Sequence, residues 1–455
     1  MLFGGGLAVA ATAVSMPMVI VGRGLQGLGD GAIAAVSFAT IGRTYPQQLR
    51  PKVFAVLASA WVIPSLGGPA AAAFLAEHVG WRWVFGGLIP LVVVAGGVTA
   101  RALRRATARP APAAAGVDPP AGVDPPAGVD LPADAVDGGS GSPRESSAAG
   151  PAPAGIRAAG SAPAAWDEGG PDIWPAVEGG KGPLLRAVRV SVGAALVLAG
   201  LTSRSALGIP LVAAGLLTGA GPLRRLLPVG ALRARPGAPA AVAVRGLLTF
   251  AFFGADTFIP LAITSARHAS TAVAGIAVSV AAVIWTVGSW TQARLAARRS
   301  ARFLVTLGMS TVVLGVAGAG TTLLVPAVPL PVGIALWGVA GFGIGVAYSP
   351  IMNVTLNAAP ADRQGAASSA VSLSDNLGVA FGAGLGGVIV AGTAKSGGTA
   401  ADTVATAAHT TSMASTSTAS TAGLAAAFAL ASAVGLVGVL IARRLPTTVL
   451  APESR

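Results

Sequence analysis

Four ionisable side chains, Arg23, Asp30, Asp256 and Asp375, lie inside long apolar stretches where a bilayer would leave them without water. Holding such a group in the membrane costs ~2.5–3.5 kcal/mol on insertion scales, so each calls for a role. Of the 17 acidic residues, ten fall between 107 and 185, while Glu77, Asp362, Asp402 and Glu453 fall in loops or the tail. The three aspartates remain within spans, and by the same count Arg23 is the one arginine there. A membrane carboxylate can take up and return a proton or hold a cationic group; a neighbouring guanidinium can tune it.

Arg23 precedes Asp30 by seven residues, two helical turns along nearly the same face. One reading gives Arg23 a functional role, with Gln26 beside it; the other has the arginine snorkelling to the surface. Asp30 is either a protonatable site or a structural partner of Arg23 or of a backbone group. Asp256 sits mid-span in Arg245-GLLTFAFFGADTFIPL, where Phe252, Phe253 and Thr257 would give an amphipathic wall for a proton or a cationic substrate; the other reading is a satisfied structural acid. Asp375, between Ser374 and Asn376, fits hydrogen bonding between helices, the alternative being a place on the proton or substrate path.

The elements that position these residues follow from composition. The chain is 53% hydrophobic, only 10% charged, and free of cysteine. Soluble domains carry ~25% charge, and a helix needs about 20 apolar residues to cross the hydrocarbon core. Twelve such spans are expected, at 1–17, 18–42, 53–76, 83–100, 187–203, 205–221, 241–264, 271–292, 303–324, 332–356, 366–393 and 421–442. The fold class is therefore an all-α integral membrane protein. The net charge of +13 resolves by loop: Arg43, Arg50, Lys52, Arg101, Arg104, Arg105, Arg224, Arg225, Arg298, Arg299, Arg443 and Arg444 fall on one side. The other side receives Arg82, Arg204, Arg267 and Lys395, so the positive-inside rule puts both termini in the cytoplasm of a plasma-membrane protein and leaves no nucleic-acid surface.

Residues 107–185 are a different material, rich in Pro, Ala and Gly and containing a hexapeptide repeat at 115–132. Such composition cannot repay its ordering entropy and predicts a disordered cytoplasmic linker. The organisation expected is a first half-bundle at 1–106, the linker, a helical hairpin at 186–238, a second half-bundle at 239–445 and a tail at 446–455.

The halves are related. Arg23–Pro46 and Trp337–Pro360 align without a gap at an offset of 314, and Gly24, Gly27, Gly29 and Gly31 coincide with Gly338, Gly341, Gly343 and Gly345. Two related halves with a substrate path between them is the build of many secondary transporters. The glycines lie in apolar helices with no strand before them, so they fit close helix packing and not a dinucleotide loop. Histidines 78, 268 and 409 are far apart and in loops, with no metal spacing, nucleophile elbow or phosphate loop in the chain. An enzyme is not expected, and neither is a cofactor.

Specific motifs add a resemblance. Arg23-Gly24-Leu25-Gln26-Gly27 resembles the fourth-helix signature of drug:proton antiporters in the major facilitator superfamily. Gly68-Pro69 resembles the antiporter motif of the fifth helix, although Pro64 and Ala72-Ala73 replace usual glycines, and Trp81–Phe85 followed by Pro90 resembles the next connection. Gly288–Gly308 resembles the second basic loop, and Asn376-Leu377-Gly378 with Gly382, Gly384, Gly386 and Gly387 resembles the glycine-rich eleventh helix. The resemblance implies a two-half helical bundle of the fourteen-span branch, with the pair near 187–221 as its inserted hairpin and two family helices falling before Met1. It implies a role for Gly68-Pro69 in gating and proton-coupled efflux of amphipathic compounds by a lipid-embedded monomer, its partners being protons and a small-molecule substrate. The alternatives are a membrane sensor signalling through the linker, or an inactive fragment.

Overall fold

The computed structural model describes residues 2–45, 49–60, 68, 75, 78–108, 173–175, 182–203, 205–360, 362–393 and 421–447. Met1–Val92 with Pro171–Arg455 form one compact unit, and Val93–Gly170 a second, of which a helix through Ala108 is described. The described residues are helices joined by turns, and every one of the twelve expected spans contains helix. Among the described residues, eight helices are long and apolar enough to cross a membrane.

The first half contributes α1 (Leu2–Ala11), α2 (Met16–Thr44), α3 (Arg50–Ser59), α4 (Arg82–Gly86) and α5 (Ile89–Ala108). Pro17 opens α2, where a missing N–H costs nothing, and Tyr45 ends it in an extended conformation, as the residue before a proline prefers. The hairpin is α6 (Gly182–Thr202) and α7 (Gly208–Leu226), the latter closing on Arg224 and Arg225, whose charge suits the helix C-terminus.

The second half begins with α8 (Ala238–Asp256), which continues through Ile259–Leu261 into a π turn at Ala262–Ala266, next to Pro260. Then come α9 (Thr271–Leu295), α10 (Ala301–Leu324), α11 (Leu330–Asn357), α12 (Gln364–Thr393) and α13 (Thr421–Ala442). Ser270 and Ser300 cap α9 and α10, each hydroxyl accepting from the third residue on, Val273 and Phe303. The starts of α2 and α11, Met16 and Leu330, are also 314 residues apart, so the related segments begin their helices in register.

Small residues set the helix spacing, because lipid supplies no hydrophobic drive between helices and close contact must supply it instead. A Cβ on Gly341 or Gly345 would run into the carbonyls of Ala281 or Trp285 on α9, and one on Gly343 would lie 2.6 Å from the Gly308 oxygen on α10. Helices α8 and α12 meet where Gly254 faces Gly382, and α6 and α7 where Gly193 faces Gly215.

One end of the bundle is sealed between the halves. Ile41 of α2 and Phe54 of α3 are buried in one apolar cluster with Met352, Leu356, Ala370 and Val371 of the second half. Beside it the Arg50 guanidinium donates to the Asn357 side chain and, through Nε, to the Tyr45 carbonyl at 3.0 Å. This is the end that carries Arg224, Arg225, Arg302, Arg443 and Arg444. Two residues of the 107–185 stretch, Ile173 and Trp174, are packed against it. Trp174 is 5% exposed, its indole N–H donates to the Ala358 carbonyl at 3.0 Å, and the Val229 amide donates to the Ile173 carbonyl at 2.8 Å.

Candidate functional site

The four embedded charges have four different surroundings. Arg23, on the exposed side of α2, donates to the Gln26 Oε1 at 2.8 Å, while the buried Gln26 Nε2 has no partner. No hydrogen bond or ion pair joins Arg23 to Asp30 among the described residues, although the spacing would allow one. Asp30 is exposed, on a stretch of α2 that faces α12: a Cβ on neighbouring Gly31 would lie 3.7 Å from the Asn376 amide nitrogen.

Asp256 is half-buried where α8 gives way to the irregular turn below Pro260, and it has no hydrogen-bond or ion-pair partner among the described residues. One turn away lies an aromatic wall. Phe252 stacks on Trp337 at 4.9 Å between centroids and meets Phe253 and Trp285 edge-on at 5.2 and 5.8 Å. Trp285 continues the wall to Tyr348 at 5.4 Å. Phe252 and Trp337 are buried, whereas Phe253, Trp285 and Tyr348 keep part of their surface. The buried Trp337 Nε1 has no hydrogen-bond partner.

Asp375 is paired instead. Arg245, wholly buried on α8, donates from Nε to Asp375 Oδ1 at 2.8 Å and from Nη2 to Oδ2 at 3.5 Å. Its Nη1 donates to the Tyr348 carbonyl at 2.9 Å, and its guanidinium carbon sits 3.0 Å from the centre of the Tyr348 ring. The Tyr348 hydroxyl completes the ring by donating to Asp375 Oδ2 at 3.1 Å. Two hydroxyls fix the same helices: Thr249 donates to the Asp375 carbonyl at 3.1 Å and Ser374 to the Val242 carbonyl at 2.7 Å.

Counting Arg23 as the single embedded arginine therefore missed Arg245. Arg245 stands five residues into the expected 241–264 span, so a count by span would have found it. Its pairing was out of reach, since 130 residues separate it from Asp375. Tyr348 carried the weaker signal of being one of two tyrosines in the chain.

Among the glycines, Gly29 packs on the Phe3 backbone and Gly382 on the Phe250 carbonyl, whereas a Cβ on Gly27 or Gly68 would meet nothing within 4 Å among the described residues. Pro69 lies outside the described residues. No group of three His, Asp or Glu side chains that could hold a metal occurs among the described residues.

Comparison with known proteins bears on what this arrangement serves. Residues 1–383 match the model of the Major Facilitator Superfamily. A protein of Mycobacterium tuberculosis described as a probable multidrug-efflux transporter is 28% identical over 407 residues, covering 88% of this chain and 74% of that one. Multidrug resistance protein 3 of Bacillus subtilis is 30% identical over 80 residues, 18% of this chain and 16% of that one. A crystal structure of an auto-inhibited peptide transporter of the POT family superposes with a TM-score of 0.50 at 18% identity, covering 100% of this chain and 83% of the other.

Proposed function

We propose that this chain, which belongs to the Major Facilitator Superfamily, exports amphipathic organic compounds in exchange for protons. It is a multi-pass membrane protein and a secondary transporter, of a family that moves small molecules and not of an enzyme family. Multidrug efflux is what the name of the mycobacterial relative describes, and we carry that over as part of the proposal. The membrane is the plasma membrane, with the basic end of the bundle and both termini in the cytoplasm. The sealed end then faces the cytoplasm. Protons and the small-molecule substrate are the partners, the proton gradient is the energy source, and the transporter works as a monomer without cofactor or nucleic acid.

The observation that carries the reading is Asp256: a carboxylate within a membrane span, beside an aromatic wall, with no hydrogen-bond or ion-pair partner among the described residues. An unpaired charge in such a place is costly, and two things relieve it, a proton or the cationic part of a substrate. The two compete for one group, which is the elementary requirement of an antiporter. The aromatic surface of Phe253, Trp285 and Tyr348 would receive the apolar part of the same molecule. Protonation from outside displaces the substrate, and release of the proton inside readies the site, while the halves rock between two closures. Asp30 faces the same interior from the other half, and Arg23 with Gln26 holds the outer part of α2. Gly341, Gly343, Gly345 and Gly382 keep the second half rigid enough to rock as a body; Gly68 with Pro69 would be the gating kink.

The test is ethidium efflux from proteoliposomes under an imposed pH gradient. Wild-type protein should extrude the dye only while the gradient lasts. Asp256→Asn, reconstituted in equal amount, should lose gradient-driven efflux. Undiminished efflux by that variant would remove Asp256 from the mechanism.

A further inference from the structure

We infer that Arg245 is a positioning residue for the transport path, and that it and Asp375 act as one unit without net charge, so the coupling proton travels through other groups. The inference rests on the transport reading above, but its geometry stands without it. With a rise of 1.5 Å per residue, Arg245 lies about 10 Å, Tyr348 about 14 Å and Asp375 about 16 Å from the basic ends of their helices, well inside the bilayer.

At that depth Arg245 ties its own helix to two others. Its fork holds the Asp375 carboxylate on α12, Nη1 holds the main chain of α11 at Tyr348, and its flat face carries the Tyr348 ring. The guanidinium is wholly buried, while the Asp375 side chain keeps 20% of its surface. Asp375 therefore accepts from Nε, Nη2 and the Tyr348 hydroxyl on its protein side and presents only its remaining edge inward. A proton arriving there would have to displace a guanidinium N–H and leave Arg245 as an uncompensated buried charge, which is the expensive way to break such a pair. Among the described residues, the other charged group on a stretch facing this cluster is Asp30 on α2, next to Gly31, which lies beside Asn376; α13 carries none, and Arg302 on α10 and Arg294 on α9 lie at the basic end. Asp256, on the same helix as Arg245 but three turns further along, has no such restraint.

What Arg245 supplies is placement. Tyr348 belongs both to the clasp and to the aromatic wall through Trp285. Removing the guanidinium frees the ring on which an amphipathic molecule would lie. Replacing the whole pair by neutral isosteres removes the charge conflict and leaves Thr249 and Ser374 to hold α8 against α12.

The experiment compares wild type, Arg245→Gln, Asp375→Asn and the pair Arg245→Gln/Asp375→Asn in ethidium-loaded proteoliposomes, with thermal stability of each purified protein read by size exclusion. Either single change should lower efflux at least tenfold and lower the melting temperature. The pair should recover efflux to within about threefold, with an apparent KM raised by the looser wall. The dependence of its maximal rate on pH should superimpose on that of wild type. Asp375→Asn transporting like wild type would overturn the proposal, as would a pair as inactive as Arg245→Gln or a pair with a displaced pH profile. An apolar pair, Arg245→Met/Asp375→Leu, covers failure of the first pair to fold; if neither folds, the proposal fails, since the clasp would then be indispensable to folding. Wild-type protein that moves no dye would defeat the transport reading instead, and recovered stability of the pair would still test the clasp.

Discussion

Substituting Gly343 by alanine adds one methyl group in a place with no room for it. The new Cβ would lie 2.6 Å from both the Gly308 carbonyl oxygen and the Val312 amide nitrogen of α10. Ordinary contact begins at 3.4 Å, so α10 and α11 must part by about 0.8 Å there. Both obstacles are backbone and cannot rotate aside. Overpacking of this kind costs ~1–3 kcal/mol, against the ~1 kcal/mol that alanine gains over glycine in a helix interior. Gly27→Ala is the matched control: it too lies inside a helix of the related segment, and nothing among the described residues stands within 4 Å of its Cβ. The two variants should move apart, Gly343→Ala losing thermal stability and Gly27→Ala holding or gaining it, as read by heating purified protein and following the monodisperse peak. Equal behaviour of the two, or stabilisation by Gly343→Ala, would refute the claim that the glycines of α11 set the α10–α11 spacing.

Two further outcomes concern the sealed end. The chain has no cysteine, so Arg50→Cys/Asn357→Cys carries two thiols in place of side chains that touch across the halves; a short bifunctional thiol reagent should stop ethidium efflux, cleavage of a reducible reagent should restore it, and transport indifferent to the bridge would mean that the contact does not open. Trp174→Ala removes a 5%-exposed ring and its hydrogen bond to the Ala358 carbonyl. A buried aromatic truncated to alanine costs ~3–5 kcal/mol, so trypsin cleavage after Arg363, which itself donates to the Trp174 carbonyl at 3.2 Å, should quicken by at least about tenfold, and an unchanged rate would show that the segment adds nothing there.

The helical bundle was legible because its cause is local. Apolar length and the scarcity of charge are properties of consecutive residues, and the register of Met16 with Leu330 follows from a repeat visible without a structure. Asp256 was also legible, since a lone acid in an apolar run announces its own cost. What could not be read is pairing over distance. Nothing in the residues around Asp375 says that its partner is Arg245 on another helix, nor that Tyr348 carries the guanidinium on its ring. The same limit applies to Arg23 and Asp30: two turns put them along one face, yet Arg23 bonds to Gln26, the nearer acceptor. Composition averaged over a window hid Trp174 as well. A single buried indole among alanines, prolines and glycines does not change the average, but it finds the pocket formed by Ala238, Ala359 and Ala367.

The central claim is that one unpaired carboxylate exchanges a proton for substrate, and counting protons tests it most directly. Ethidium added to purified protein in weakly buffered solution, near the pH at which efflux is half-maximal, should release protons in proportion to the dye bound. Asp256→Asn should release none, whether or not it binds. Dye binding with no proton released by the wild type, or with the same release from Asp256→Asn, would contradict the account.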